Sequence, residues 1–271
     1  MKEIWLIVTT TLKNKWLIIT ILGILSIVFL WLYAAILPTM MSQMDQVNEL
    51  LKAFPPELMK AFNADISGIT TYAGLLATKQ YGLILPIMIV VLTASFSGSA
   101  FAGEIESGTI LLNLSQPISR VKYFIGKYFA GLIAIIIVSV LSILPGALFA
   151  EIYNLSYELN FFIEFSILTI VFGFTMFSFG CLASTIFNSG SKVAFFNTGL
   201  FLFFYITFVI SGLTPELENI KYFSLLHYYN PAALFGIGEY SQLAIPIMIV
   251  LILCTSFGAL VVFNKKDISI R

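Results

Sequence analysis

YFAGLIAIIIVSVLSILPGALF, Tyr128 to Phe149, contains no Asp, Glu, Lys or Arg. A helix needs about 20 mostly apolar residues to cross the hydrocarbon core of a bilayer. The run lacks the apolar–polar alternation of a barrel strand, so it reads as a membrane-spanning helix. Working outward, five further runs have the same character: about Trp16–Leu37, Tyr81–Phe101, Phe161–Phe187, Val193–Leu213 and Leu243–Phe263. The composition agrees, with 59 % hydrophobic and 10 % charged residues and a mean hydropathy of +0.98. A soluble domain carries about 25 % charged residues. A soluble enzyme, a basic nucleic-acid binder and a disordered chain are therefore excluded. The expected fold class is an all-α membrane protein with six transmembrane helices, read as one unit over residues 1–271.

The segments between the runs carry helical patterns of their own. Residues 1–15 are too short and too charged to span, yet Ile4, Trp5, Val8 and Leu12 fall at helical spacing. They read as an N-terminal interfacial helix. A signal peptide is disfavoured, because the following run exceeds a typical h-region and no A-x-A site follows it. In residues 39–80, Met41, Met44, Val47, Leu50, Leu51 and Phe54 define one helix face. Pro55–Pro56 break it, and Leu58, Met59 and Phe62 suggest a second short helix. Residues 214–242 are acidic at Glu216 and Glu218, then aromatic at Tyr222, Phe223, Tyr228 and Tyr229. That segment is expected to lie in the interface or to dip into the membrane.

Six spans put both termini on one side, and basic residues choose the side. With the termini in the cytoplasm, the inner segments hold Lys2, Lys13, Lys15, Arg120, Lys122, Lys127, Lys192, Lys265, Lys266 and Arg271. The outer segments hold only Lys52, Lys60, Lys79 and Lys221. The acids divide the opposite way, with only Glu3, Glu104, Glu106 and Asp267 inside. The zero formal net charge is thus a separation of charge across the bilayer.

Residues able to do chemistry are scarce. Cys181 and Cys254 lie in apolar runs and His227 is the one histidine, so no metal site is expected. Glu151 and Glu164 sit near outer span ends, and no ionisable residue occupies a span midpoint. That argues against a proton- or ion-coupled secondary transporter. Gly126-Lys127 is no phosphate loop: Tyr128 follows it and Val121 stands where the first glycine belongs. The chain is expected to be no enzyme and to bind no cofactor; any ATP would be bound by another chain.

The segment leading into Tyr128–Phe149 is the informative one. It reads AGEIESGTILLNLSQPISRVKYFIGKYFAGL, Ala102 to Leu132. Ser107 is placed to cap a short helix Gly108–Leu114, behind the acidic Glu104 and Glu106. Ile110, Leu111, Leu112 and Leu114 give that helix an apolar flank, Pro117 ends it, and Ser119 can cap the next helix. One reading is an ordinary loop with orienting charges; the other is a docking helix that receives force from a soluble partner.

The order E-x-E-x-G-T, then leucines, then S-Q-P-I-S-R, then G-K entering a span resembles the permeases of the ABC-2 type transporter family. The positions that match are Glu104, Glu106, Gly108, Thr109, Leu112, Pro117, Ser119, Arg120 and Lys127. The layout is similar too, with an interfacial helix, six spans, a loop after span 2 and a re-entrant-like segment before span 6. The resemblance implies that residues 102–127 form a cytoplasmic coupling helix and loop contacting an ABC ATPase subunit. It implies a second permease chain, as homo- or heterodimer, with spans 1 and 5 at the interface. It also implies ATP and Mg on the partner subunit, export, and a plasma-membrane location. The first outer segment is longer than in compact members, so their substrates do not carry over. The acidic outer surface suits a cationic amphipathic peptide slightly better than an anionic glycan. Two alternatives stay open: a membrane anchor that recruits a soluble ATPase without transport, and a secondary transporter.

Overall fold

The computed structural model describes residues 1–42, 71–115, 117–213, 215–234 and 241–267. Among the described residues every regular element is helical, and six helices are long and apolar enough to cross a membrane. The chain is a multi-pass membrane protein. Helix α1 is Lys2–Asn14 and α2 is Trp16–Ser42. Span 2 is α3, Tyr72–Ala100, followed by the short helices α4, Ala102–Glu106, and α5, Thr109–Leu114. Then come α6, Arg120–Ile152, α7, Leu159–Ile186, and α8, Gly190–Ser211. A 3₁₀ stretch Pro215–Phe223 leads to α9, Leu225–Tyr228, and α10, Pro231–Leu234, before the last span α11, Ala244–Lys265.

Three boundaries differ from the sequence reading, each for a physical reason. Helix α2 runs through Pro38 to Ser42 instead of stopping at Leu37. A proline is tolerated in a membrane helix where neighbours satisfy the freed backbone groups. Helix α3 starts at Tyr72 rather than Tyr81, because Thr71 caps it by accepting from the Gly74 N–H at 3.0 Å. The polar run Thr78-Lys79-Gln80 looked like loop, but it lies in a π-helical stretch, Leu76–Ile84. There Gln80 is fully buried and donates to Ser26 of α2 at 3.0 Å. The helix expected after Ser119 and the span expected from Tyr128 are one continuous helix, α6, whose 33 residues reach about 50 Å at 1.5 Å per residue. That exceeds a hydrocarbon core of about 30 Å, so its first turns project as a charged stalk. The amphipathic helices read from Met44–Phe54 and Leu58–Phe62 lie outside the described residues.

The core joins α3, α6 and α7, with Ile89, Ile135, Phe172 and Met176 fully or almost fully buried. At the end away from the termini, Tyr72 and Tyr81 donate to the carbonyls of Gly146 (3.1 Å) and Ile143 (3.5 Å), either side of Pro145. Tyr229 follows α9 and is 2 % exposed. It lies against Phe165 and Phe172, the latter about 20 Å along α7 from Leu159. Ser224 holds this segment by donating to the Phe204 carbonyl at 2.6 Å.

Candidate functional site

The other end of the bundle gathers α1, α4, α5, the stalk of α6 and the facing ends of α7, α8 and α11. Its construction begins with a break. Helix α3 stops at Phe101, whose backbone leaves the helical region. The amides freed at the break, Phe101 N–H and Ala102 N–H, both donate to Ser184 Oγ of α7, at 3.3 and 3.0 Å. A buried amide without a partner is costly in a membrane, so this serine makes the bend tenable. Nothing in the local sequence marks Ser184 for that role.

Beyond the bend, the apolar sides of α4 and α5 turn inward. Ile105 and Ile110 pack with Phe101, Phe124 and Phe263, and the Phe101 ring lies 4.5 Å from Phe263 and 5.2 Å from Phe124. The helix expected at Gly108–Leu114 exists as Thr109–Leu114, but Ser107 does not cap it. Gly108 takes the cap position at φ 74°, a left-handed conformation that favours glycine. Ser107 instead donates to the Glu104 carbonyl and meets the Thr109 hydroxyl at 2.9 Å. Ile110 is buried, while Leu111 and Leu112 project outward, 49 % and 72 % exposed.

The two carboxylates of E-x-E are engaged within the chain. Glu104 accepts from the Tyr123 hydroxyl and from Lys127 Nζ at 2.5 Å, with both charged side chains under 15 % exposed. Both partners belong to the stalk of α6, four residues apart on one face. Lys127 also lies 5.6 Å from the Tyr123 ring centre. Glu106 reaches a different span. It accepts from the Gly190 N–H at 2.8 Å and from Ser189 Oγ at 2.9 Å, at the N-terminus of α8. These hydrogen bonds, the Gly190 amide first, hold its carboxyl below the usual carboxylate range. A carboxylate there also faces the positive end of the helix dipole. One short helix therefore ties the loop to α6 and α8 together.

Basic residues do the converse job at C-termini. Arg120 Nη1 donates to the carbonyls of Asn264 (3.3 Å) and Lys266 (2.7 Å), closing α11. Lys266 Nζ donates to the carbonyls of Ile186 (3.2 Å) and Phe187 (3.1 Å), closing α7. Ser119 caps α6, accepting from the Lys122 N–H at 3.3 Å as the sequence suggested. Lys122 pairs with Glu3 of α1 at 2.9 Å. Pro117 is exposed in the link between α5 and α6. All the expected site residues thus share one end of the bundle, with Leu112 and Pro117 facing out, Glu104 and Lys127 paired and largely buried, and Glu106 exposed at the N-terminus of α8. Tyr123, Ser184 and Lys266 belong to the site and were missed.

Near this end, α3 and α8 touch backbone to backbone. A Cβ on Gly98 would meet the Gly190 carbonyl oxygen at 3.0 Å, and one on Gly190 would meet the Gly98 oxygen at 2.9 Å. Deeper in, Asn197 of α8 donates to Thr93 of α3 at 3.1 Å. Spans 2 and 5 are therefore one packed pair joined to the loop at its end.

A comparison with protein families returns one described as ABC-2 family transporter protein, which matches residues 8–268, nearly the whole chain. No curated protein matches it.

Proposed function

The chain belongs to the ABC-2 family of transporter proteins and is a permease that spans the membrane several times. From that premise we propose that it is the membrane subunit of an ATP-driven exporter in the plasma membrane, with both termini in the cytoplasm. A separate ABC ATPase subunit binds ATP and Mg, and two permease chains complete the transporter. The observation that carries this reading is the division of labour within residues 102–127. Leu111 and Leu112 are exposed on a helix too short to span, whereas Glu104 and Glu106 reach separate spans. The leucines are the docking surface, and the carboxylates convert a push on that surface into movement of α6 and α8. Gly108, Thr109, Pro117, Ser119 and Arg120 shape and fasten the element that is pushed. The excess of basic residues at this end supports its cytoplasmic side.

The test uses the chain co-expressed with its ATPase and reconstituted in vesicles. Leu112→Asp is expected to abolish co-purification of the ATPase while membrane insertion survives. Glu104→Gln with Glu106→Gln is expected to retain the ATPase but lose transport. Normal transport in both variants would sink the assignment.

A further inference from the structure

The end away from the termini holds a cavity of about 160 Å³ between α3, α8 and the segment α9–α10. Thr78, Lys79, Tyr205 and Asn230 give it polar walls, and Leu83 and Val209 are apolar beside them. No Asp or Glu lines it. Lys79 makes no ion pair among the described residues, and the Tyr205 hydroxyl makes no hydrogen bond among them. An ammonium and a phenol thus bring donors to one space whose walls supply no acid. The lysine is carried on the π-helical stretch Leu76–Ile84. Such turns are rare and recur at functional sites. Gly82 suits this one, because a Cβ there would meet the Ala77 carbonyl oxygen at 2.8 Å.

Depth and access narrow the ligand. Lys79 is the one charged residue of α3. Two residues on begins the apolar run Tyr81–Phe101, which is by itself about 30 Å long, the thickness of a hydrocarbon core. The ammonium therefore stands at the boundary of that core, beside the headgroup layer. Leu83 is 41 % exposed, and Ile87, one turn further along α3, is 44 % exposed. The cavity therefore adjoins a face of α3 that is open to lipid. Its volume admits one small group but not a pair of acyl chains. A headgroup in the cavity with its chains along Leu83 and Ile87 satisfies both limits.

We propose that Lys79 and Tyr205 hold the phosphate of an anionic phospholipid at this cavity. The ammonium pairs with the charge, and the hydroxyl donates to a phosphate oxygen. The lipid is seated where α3, α8 and the α9–α10 segment join. The site stands independently of the transport reading, because it rests on the lining of the cavity and its depth alone.

The test reads lipid at this place rather than on the whole chain. Cys181 is buried and Cys254 exposed, so Ile87→Cys in a Cys254→Ser background takes a fluorophore beside the cavity. The delipidated full-length chain in detergent is titrated with bromine-labelled phosphatidylglycerol or phosphatidylcholine, which quench the fluorophore on contact. Phosphatidylglycerol is expected to reach half-quenching at about fivefold lower concentration, the scale of one lysine at an anionic surface. Lys79→Gln and Lys79→Met are both expected to lose that preference, and Lys79→Arg to keep it. Tyr205→Phe is expected to raise the half-quenching concentration of phosphatidylglycerol by about threefold, the scale of one hydrogen bond. Lys221→Gln, a change in the 3₁₀ stretch at a lysine paired with Glu218, should leave both readings intact. Undiminished preference in both neutral Lys79 variants, an equal loss in Lys221→Gln, or unchanged half-quenching in Tyr205→Phe would overturn the proposal. No quenching by either lipid would overturn it too, since protein would then cover that face.

Discussion

At the end carrying both termini, helix ends are closed by charged side chains from other segments, Glu106 on α8, Arg120 on α11 and Lys266 on α7. At the opposite end, the Tyr229 ring lies 5.5 Å from Phe165 and 4.6 Å from Phe172, and buried tyrosines donate to carbonyls of α6. The first set of contacts is near water, where a released charge can be solvated and an ion pair exchanged at small net cost. The second is apolar, so any rearrangement exposes area or opens a void. This contrast suits an end that moves and an end that holds.

Four changes test the contrast, in order of expected effect. Tyr229→Ala removes a wedge buried among aromatic rings and is expected to cost about 3–5 kcal/mol, read as thermal unfolding in detergent. A cost as small as that of a surface change would erase the idea of a rigid end. Glu104→Ala strands Lys127 in a nearly buried setting and is expected to cost about 2–3 kcal/mol, below the fully buried range because water is close. A double-mutant cycle with Lys127→Ala isolates the pair, and a coupling near zero would show that the clamp is not a clamp. Gly98→Ala pushes a methyl against the Gly190 carbonyl and is expected to cost about 1–3 kcal/mol. A cysteine pair across α3 and α8 should then crosslink more slowly, and an unchanged rate would deny their close approach. Arg120→Ala uncaps α11 and is expected to cost about 1 kcal/mol, seen as faster hydrogen exchange in its last turn but not in α7.

The smallest effect is that of pH on Glu106. Its folded-state carboxyl is lowered by the Gly190 amide and Ser189. A depressed carboxylate contributes stability that is present above the unfolded value of about 4.3 and is lost as pH falls through the folded value. Protection of the Gly190 amide should therefore persist through the ordinary carboxylate range and fall only below it. Loss of protection near neutral pH would mean that another group controls the contact.

Much of this architecture is legible in the chain because lipid is an unforgiving solvent. Long apolar runs have no other stable arrangement than a helix, so the spans at Tyr128–Phe149 and Phe161–Phe187 are visible on inspection. Where polar residues enter a helix the reading falters. Gln80 looked like loop because its buried partner, Ser26, lies on another span. Arg120 and Lys122 looked like orienting charges because the stalk that carries α6 out of the membrane has no apolar run. The order E-x-E-x-G-T picked out residues that gather at one end, but it did not separate the exposed leucines from the carboxylates that reach α6 and α8.

Composition and periodicity alone determined the number of spans, the end that gathers basic residues and the place of the short helices after span 2. The spans and the short helices follow from local rules, namely the length of a bilayer crossing and the period of a helix, and the basic end follows from a count of Lys and Arg. Only the tertiary structure decided which charge closes which helix, that Ser184 supports the bend at Phe101, and that Lys15 reaches Ser95 of α3. Those contacts join residues far apart in sequence, and an ion pair leaves no trace in the chain until the helices carrying it are packed.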